Sequence, residues 1–120
     1  MRKGRKISGG RYHKSRKKKL FETDRQSRIV KLGESRKKVL RVKGGNKKIF
    51  MIRADFANVF NKKTGKTKKV KIKNILETPP NRFLARQNII VKSAVIDTEL
   101  GKAKVTNRPS QEGTVEAVLL

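Results

Sequence analysis

The stretch VLRVKGGNKKIFMIR, residues 39–53, decides how this chain folds. On both sides of its centre the residues are rich in β-branched side chains, and apolar and polar positions alternate, which is typical of β-strands. Between the two runs stand Gly44, Gly45 and Asn46, residue types that reach the positive φ angles of a tight turn. The stretch therefore predicts a β-hairpin.

The same texture continues to the carboxyl end. In KKVKIKNIL (68–76) the apolar residues Val70 and Ile72 alternate with lysines, which places Lys69, Lys71 and Lys73 on the opposite face. Further strand candidates are NIIVKSAVID (88–97), GKAKVTN (101–107) and TVEAVLL (114–120). Turn-forming residues occupy 61–65, 98–101 and 109–113, a Pro-Pro break lies within 78–81, and we expect at most a short helical turn over 54–58. Five or six short strands predict a mainly β fold, a small antiparallel barrel or a sandwich.

One small core is expected, because the apolar content of 34% over 120 residues is low. The aromatic residues Phe50 and Phe60 are interpreted as part of this core. The expected core residues are Val39, Leu40, Val42, Ile49, Met51, Ile52, Phe56, Val59, Val70, Ile72, Ile75, Ile90, Val91, Val95, Ile96, Val105, Val115 and Val118.

Charge is the most informative feature of the composition. The chain has 34 Lys and Arg against 9 Asp and Glu, a formal net charge of +25, and more than half of the basic residues precede residue 49. Such density of one sign opposes compaction unless a polyanion neutralises it. We therefore predict a basic amino-terminal arm (1–37) that orders only on a partner, followed by a small β-domain (38–120). Nucleic acid is the favoured partner.

Other function classes have little support. No stretch approaches the roughly 18 apolar residues of a membrane span, and the amino-terminal residues lack the apolar run of a signal peptide, so we expect an intracellular protein without a membrane partner. Cysteine is absent and His13 is the only histidine, so we expect no metal and no cofactor. The Lys43–Lys47 segment lacks the spacing of a phosphate loop, and Asp97 and Glu99 are better interpreted as surface charges than as an acid–base pair, so no enzyme is predicted.

The glycine turn has two interpretations, a plain hairpin turn and a phosphate-binding turn whose backbone N–H groups approach the ligand; the dense cations around it favour the second. In the arm, Tyr12 and His13 are candidates to stack on an unpaired base, while the glycine breaks let an extended segment thread between RNA helices. The candidate RNA-binding residues are Arg2, Lys3, Arg5, Lys6, Ser8, Gly9, Gly10, Arg11, Tyr12, His13, Lys14, Arg16, Lys17, Lys18, Lys19, Arg25, Lys31, Arg41, Lys43, Gly44, Gly45, Asn46, Lys47, Lys48, Lys62, Lys63 and Lys66.

Two blocks carry a family resemblance: RVKGGNKKIFMIRADFANVF (41–60) and TELGKAKVT (98–106). Shorter matches at 8–10, 31–33, 63–66, 88–90 and 108–113 follow in order. Together they resemble the archaeal and eukaryotic small-subunit ribosomal protein S-eight-e family over essentially the whole chain, in its short archaeal form. The resemblance implies a compact β-barrel docked on small-subunit ribosomal RNA, a basic arm that enters the RNA, and no catalysis.

The leading hypothesis is thus a structural protein of the small ribosomal subunit, located in the cytoplasm, with ribosomal RNA and other ribosomal proteins as partners. No small-molecule substrate and no obligate homo-oligomer are expected. Two alternatives stay open: a small-subunit assembly factor that leaves the finished particle, and a general nucleic-acid-binding protein. Charge alone does not separate RNA from duplex DNA.

Overall fold

The computed structural model describes residues 4–13, 15–23 and 28–120. Two sheets account for most of the fold. The first has three strands in the order β1-β3-β2, where β1 pairs with β3 in parallel and β2 pairs with β3 antiparallel. The second is a closed barrel in the order β4-β5-β6-β7-β8. The strands are β1 (Lys31–Leu32), β2 (Arg36–Arg41), β3 (Lys47–Ala54), β4 (Phe56–Asn61), β5 (Lys66–Glu77), β6 (Val95–Thr98), β7 (Gly101–Val105) and β8 (Glu116–Leu119).

The predicted mainly β fold is confirmed, and of the two architectures the chain adopts the barrel. Each barrel strand runs antiparallel to the one before it, from β4 to β8. Because five is an odd number, the first and last strands then point in the same direction, and the pair that closes the barrel, β4 with β8, is parallel. The barrel is therefore antiparallel except at its closure.

Alternation in β5 places its residues as predicted. Val70 and Ile72 are buried, while Lys69, Lys71 and Lys73 are exposed on the outer face. Nine of the expected core residues are buried: Met51, Val59, Val70, Ile72, Ile75, Ile90, Ile96, Val105 and Val115. Small side chains complete the interior, among them Ala57, Ala94, Ala103 and Ala117, because a five-stranded barrel leaves little room inside.

Three expected core residues are exposed instead. Val39 and Ile49 stand opposite each other on the β2–β3 hairpin, which lies outside the barrel, and Phe56 lies on the outer face of β4. Phe60 is also half-exposed on that face, whereas Phe50 is buried as expected. The remaining members of the predicted core, Leu40, Val42, Ile52, Val91, Val95 and Val118, are half-buried.

The helical turn expected over 54–58 is wrong. Those residues span the end of β3, a bend at Asp55 and the start of β4. Ala57 and Val59 point into the barrel, and Phe56 and Phe60 point out. This period of two is typical of a strand, but alanine and asparagine are uncommon in strands, so the local sequence does not predict one. Sheet pairing with β5 and β8 overrides those preferences.

The segment before β6 is less regular than predicted. A short helix α1 (Arg82–Arg86) begins after Asn81, whose side chain accepts a hydrogen bond from the Phe83 N–H. The helix ends at Arg86, and Asn88 in the following turn has a φ of 54°, while Ser93 has a φ of 68°. Of the predicted strand 88–97, only residues 95–97 lie in a strand, β6. No helix in the described residues is long and apolar enough to cross a membrane.

The division into an arm (1–37) and a β-domain (38–120) stays a prediction. Within the predicted arm, Val30 is almost fully buried in the main core, and Leu32 packs against that core. Val30 O accepts a hydrogen bond from Ile90 N at 2.8 Å, and β1 pairs with β3. Residues 30–32 are therefore attached to the folded unit.

Candidate nucleic-acid interface

The turn between β2 and β3 exposes both its backbone and positively charged side chains. Lys43–Gly45 forms a 3-10 turn, closed by a 2.8 Å hydrogen bond from Val42 N to Asn46 O. Gly44 and Gly45 have φ values of 74° and 78°, which a side chain would strain. A Cβ at Gly45 would meet nothing within 4 Å, so the backbone here is open to a ligand.

Like charges face each other across this hairpin. Arg41 and Lys47 are Cα partners next to the turn, and Lys43 and Lys48 are exposed beside them. Directly opposed like charges destabilise a strand pair. The arrangement is unfavourable for the free protein and favourable once an anion lies between the cations.

A second set of opposed cations crosses the three-stranded sheet. Arg53 at the end of β3 pairs in register with Lys31 of β1 on one side and with Arg36 of β2 on the other. The register of β2 with β3 shifts between Arg36 and Lys37, and all three side chains are exposed. We call Lys31, Arg53 and Arg36 the cation row. Sequence reasoning found only Lys31 of the three.

A smaller hairpin repeats the pattern in the arm. Arg5 and Arg11 form an antiparallel bridge, and a turn between them has hydrogen bonds of 2.9 Å from Gly9 N to Lys6 O and from Lys6 N to Gly10 O. Gly9 has a φ of 77°. Two arginines are thus paired in register beside a glycine turn, where the Arg5 guanidinium donates a hydrogen bond of 3.3 Å to Gly9 O, and residues 4–13 are exposed throughout.

Arg16 is held within the arm by Glu22. The guanidinium donates two hydrogen bonds to the carboxylate, at 2.9 and 2.6 Å, and Lys19 N donates a third at 2.9 Å. The Arg16 guanidinium and then the Lys19 N–H lower the pKa of Glu22 below its ordinary value. This is the one ion pair within 4–13, 15–23 and 28–120, so no other cation in these ranges contacts a carboxylate that lies in them.

The connection between β4 and β5 is a third basic glycine turn. Asn61 accepts hydrogen bonds from Lys63 N at its side chain and from Gly65 N at its carbonyl, both at 2.9 Å, and Gly65 has a φ of 63°. The predicted residues Lys62, Lys63 and Lys66 are exposed here. They lie in a different connection from Lys43–Lys48, so the predicted residues form several clusters and not one pocket.

Other predicted residues divide between exposed positions and positions that are not described. Ser8, Gly10, Tyr12, His13, Lys17, Lys18 and Lys19 are exposed. Lys6 Nζ lies 5.7 Å from the centre of the Tyr12 ring. Arg2, Lys3, Lys14 and Arg25 lie outside the described residues.

Sequence reasoning missed Arg36 and Arg53, together with the lysines of the outer face of β5. The missing information was strand register, because a residue's partner across a sheet is set by pairing and not by its neighbours in sequence. The alternation at Val70 and Ile72 already pointed to the β5 lysines as one exposed group. No group of three His, Cys, Asp or Glu residues that could hold a metal ion occurs in the part of the chain described by the structure.

Comparisons with known proteins all identify the same protein family. A model of the family described as ribosomal protein S8e matches residues 1–120. The small ribosomal subunit protein eS8 of Methanocorpusculum labreanum is 49% identical over 116 residues, which cover 97% of this chain and 93% of that protein. Proteins of the same name from Methanococcus aeolicus (46% identical, 97% and 91% covered) and Methanoregula boonei (45% identical, 97% and 93% covered) are similar as well.

Proposed function

The chain belongs to the ribosomal protein S8e family, and from that membership we propose that it is a structural constituent of the small ribosomal subunit that binds ribosomal RNA. The family consists of ribosomal proteins and not of enzymes. Relatives that are 43–49% identical carry the name of a small-subunit protein, which supports placing this chain in the same particle in the cytoplasm.

One observation carries the proposal: cations oppose cations in the strand register. Arg5 faces Arg11, Arg41 faces Lys47, and Arg53 lies between Lys31 and Arg36. Each pair repels in the free protein, and a phosphate between the two members turns repulsion into attraction. A fold that places like charges together at three sites is suited to a polyanion.

Phosphate contacts should therefore dominate the interaction. The arm and the turns after β2 and β4 expose lysine and arginine side chains, and contacts of such side chains with phosphate position a protein on RNA without reading its sequence. Other ribosomal proteins complete the set of partners, and we propose neither a small-molecule substrate nor an obligate homo-oligomer. Counterion release from the neutralised phosphates would supply much of the binding free energy.

The first experiment is sedimentation of a native cell extract through a density gradient, with and without a high-salt wash. Stoichiometric recovery with mature small subunits after the wash is the expected result. Recovery only with precursor particles would instead indicate an assembly factor. Recovery at the top of the gradient would indicate a general nucleic-acid-binding protein.

A second experiment tests the arm. Removal of residues 1–20 deletes ten Lys and Arg. The slope of log K against log salt should flatten, by up to about seven to nine if every deleted cation contacts a phosphate, while the barrel stays folded. An unchanged slope would show that the arm is not the binding element.

A further inference from the structure

The outer face of β4 exposes two aromatic rings. Phe56 and Phe60 are 42% and 38% exposed, whereas Ala57 and Val59 between them are 1% exposed. The two rings lie on the same face of the strand because they are four residues apart. Neither ring contributes to the barrel interior.

The neighbouring strand surrounds these rings with lysine. Lys71 of β5 is the register partner of Phe56, and Lys69 is the partner of Asn58, which lies between the rings. Lys69 Nζ lies 4.9 Å from the centre of the Phe56 ring, in the range of a cation–π contact. The π face of Phe56 is thus turned to solvent, where an exposed lysine reaches it.

The strand on the other side carries one carboxylate, and that carboxylate is engaged. Glu116 of β8 is the register partner of Asn58, and its Oε1 accepts a hydrogen bond of 2.9 Å from Asn58 Nδ2. Val118 is the next outward residue and lies beside Phe60. Lys62 and Lys63 follow Phe60 in the turn. The face therefore has two aromatic rings with the hydrogen-bonded Asn58 between them, and lysines on its β5 side and in the turn that follows β4.

We propose that this face, which consists of Phe56, Asn58, Phe60, Lys69 and Lys71, is a base-stacking surface for unpaired nucleotides of RNA. A base offers a π face to each ring, and the lysine that now covers Phe56 can turn to the adjacent phosphate when the base arrives. An acidic partner would fit the lysines but not the rings, and an apolar protein would leave Lys69 and Lys71 unpaired. Single-stranded RNA provides bases for the rings and phosphates for the lysines.

The inference rests on the proposed RNA binding and adds selectivity to it. The glycine turns and the cation row contact phosphates, which duplex and single-stranded RNA both present. Rings on a sheet face take only bases that have left the helical stack. The surface would therefore direct the barrel to a loop, bulge or junction of the RNA.

Tryptophan substitution tests the proposal in the full chain, since the protein contains no Trp of its own. The variants are Phe56→Trp, Phe60→Trp and, as a control, Phe83→Trp. Phe83 is 66% exposed on α1 and follows Arg82, so it reports contact with RNA driven by charge alone. The probes are a single-stranded oligoadenylate of about eight nucleotides, within the site size of one small barrel, and an RNA duplex of equal length. Trp fluorescence reports stacking, and the anisotropy of end-labelled RNA reports binding.

Single-stranded RNA should quench Phe56→Trp and Phe60→Trp but not Phe83→Trp, and the duplex should bind without quenching. A Phe56→Leu, Phe60→Leu double variant keeps an apolar outer face. Each lost stack should lower its affinity for the single strand by roughly 5- to 160-fold, with duplex affinity unchanged.

Binding to both probes without selective quenching overturns the stacking surface and leaves RNA binding intact. Equal quenching at all three positions also overturns it. No anisotropy change with either probe would instead contradict the proposed function itself.

Discussion

Replacement of Arg53 by glutamine should stabilise the free protein and weaken its binding to RNA. Arg53 is the centre of the cation row, with Lys31 and Arg36 in register on either side. A directly opposed like-charge pair costs about 0.2–1 kcal/mol. Coulomb's law in water gives a similar value, about 0.6 kcal/mol for unit charges roughly 7 Å apart.

Two such pairs disappear in the Arg53→Gln variant. The free energy of unfolding should therefore rise by about 1 kcal/mol at low ionic strength. At physiological salt the gain should shrink, because the Debye length there is about 8 Å, close to the separation of the charges. For RNA, the loss of one phosphate contact should reduce the slope of log K against log salt by about 0.7–0.9.

Urea unfolding of the RNA-free protein at several salt concentrations measures the first effect, and RNA-binding isotherms over the same concentrations measure the second. Arg53→Lys keeps the charge and should change neither quantity appreciably. Lys102→Gln removes a cation whose register partner is Asp97, so it should not stabilise the free protein.

Arg53→Gln is expected to raise the stability of the free protein and to weaken RNA binding, so either measurement can contradict the prediction. If Arg53→Gln destabilised the free protein at low salt, the repulsion assigned to the cation row would be wrong. If stability rose but the salt slope stayed constant, the row would not contact phosphate. Equal changes in Arg53→Lys, which keeps the charge, would show that they do not come from charge.

Two further predictions concern the core and the arm. Ile96→Ala should lower the free energy of unfolding by about 2–5 kcal/mol, because Ile96 is fully buried in the barrel. The exposed Ile7 in the arm is the control, and Ile7→Ala should lower it by less than about 0.5 kcal/mol. Chemical denaturation measures both values, and equal losses would refute the assignment of the core. Because the pKa of Glu22 is lowered, its contact with Arg16 is favourable above the ordinary glutamate range and is lost as pH falls through the lowered value. A carboxyl NMR titration should show a Glu22 midpoint below the ordinary value that rises toward it in Arg16→Gln, where the Lys19 N–H remains; an unchanged midpoint in the variant would contradict the pairing.

Local sequence information predicted much of the fold. The glycine turn at 44–45, the turns at 61–65 and 98–101, and the alternation at Val70 and Ile72 all appear in the structure as expected. Each depends on a few adjacent residues: a turn needs positive φ, and a half-buried strand needs a period of two. These features require no knowledge of what the strand pairs with.

Features that depend on distant partners were not predictable in the same way. The local sequence at 54–58 allows a short helical turn, and only pairing with β5 and β8 makes 56–61 a strand. Val30 lies within the predicted arm, and only the structure shows that its O accepts a hydrogen bond from Ile90 N, sixty residues away. Phe56 and Phe60 are expected in the core but lie on the outer face, because a phenylalanine in a strand does not reveal which face it occupies.

The same distinction holds for the binding surface. The sequence by itself determined that this chain is a polycation with a small β-domain, since net charge and strand periodicity are sums over local residues. Only the tertiary structure decided that Arg53 lies between Lys31 and Arg36, and that two aromatic rings lie beside Lys69 and Lys71. Register brings these residues together, and register is set by which strands pair and by the burial of their inner faces.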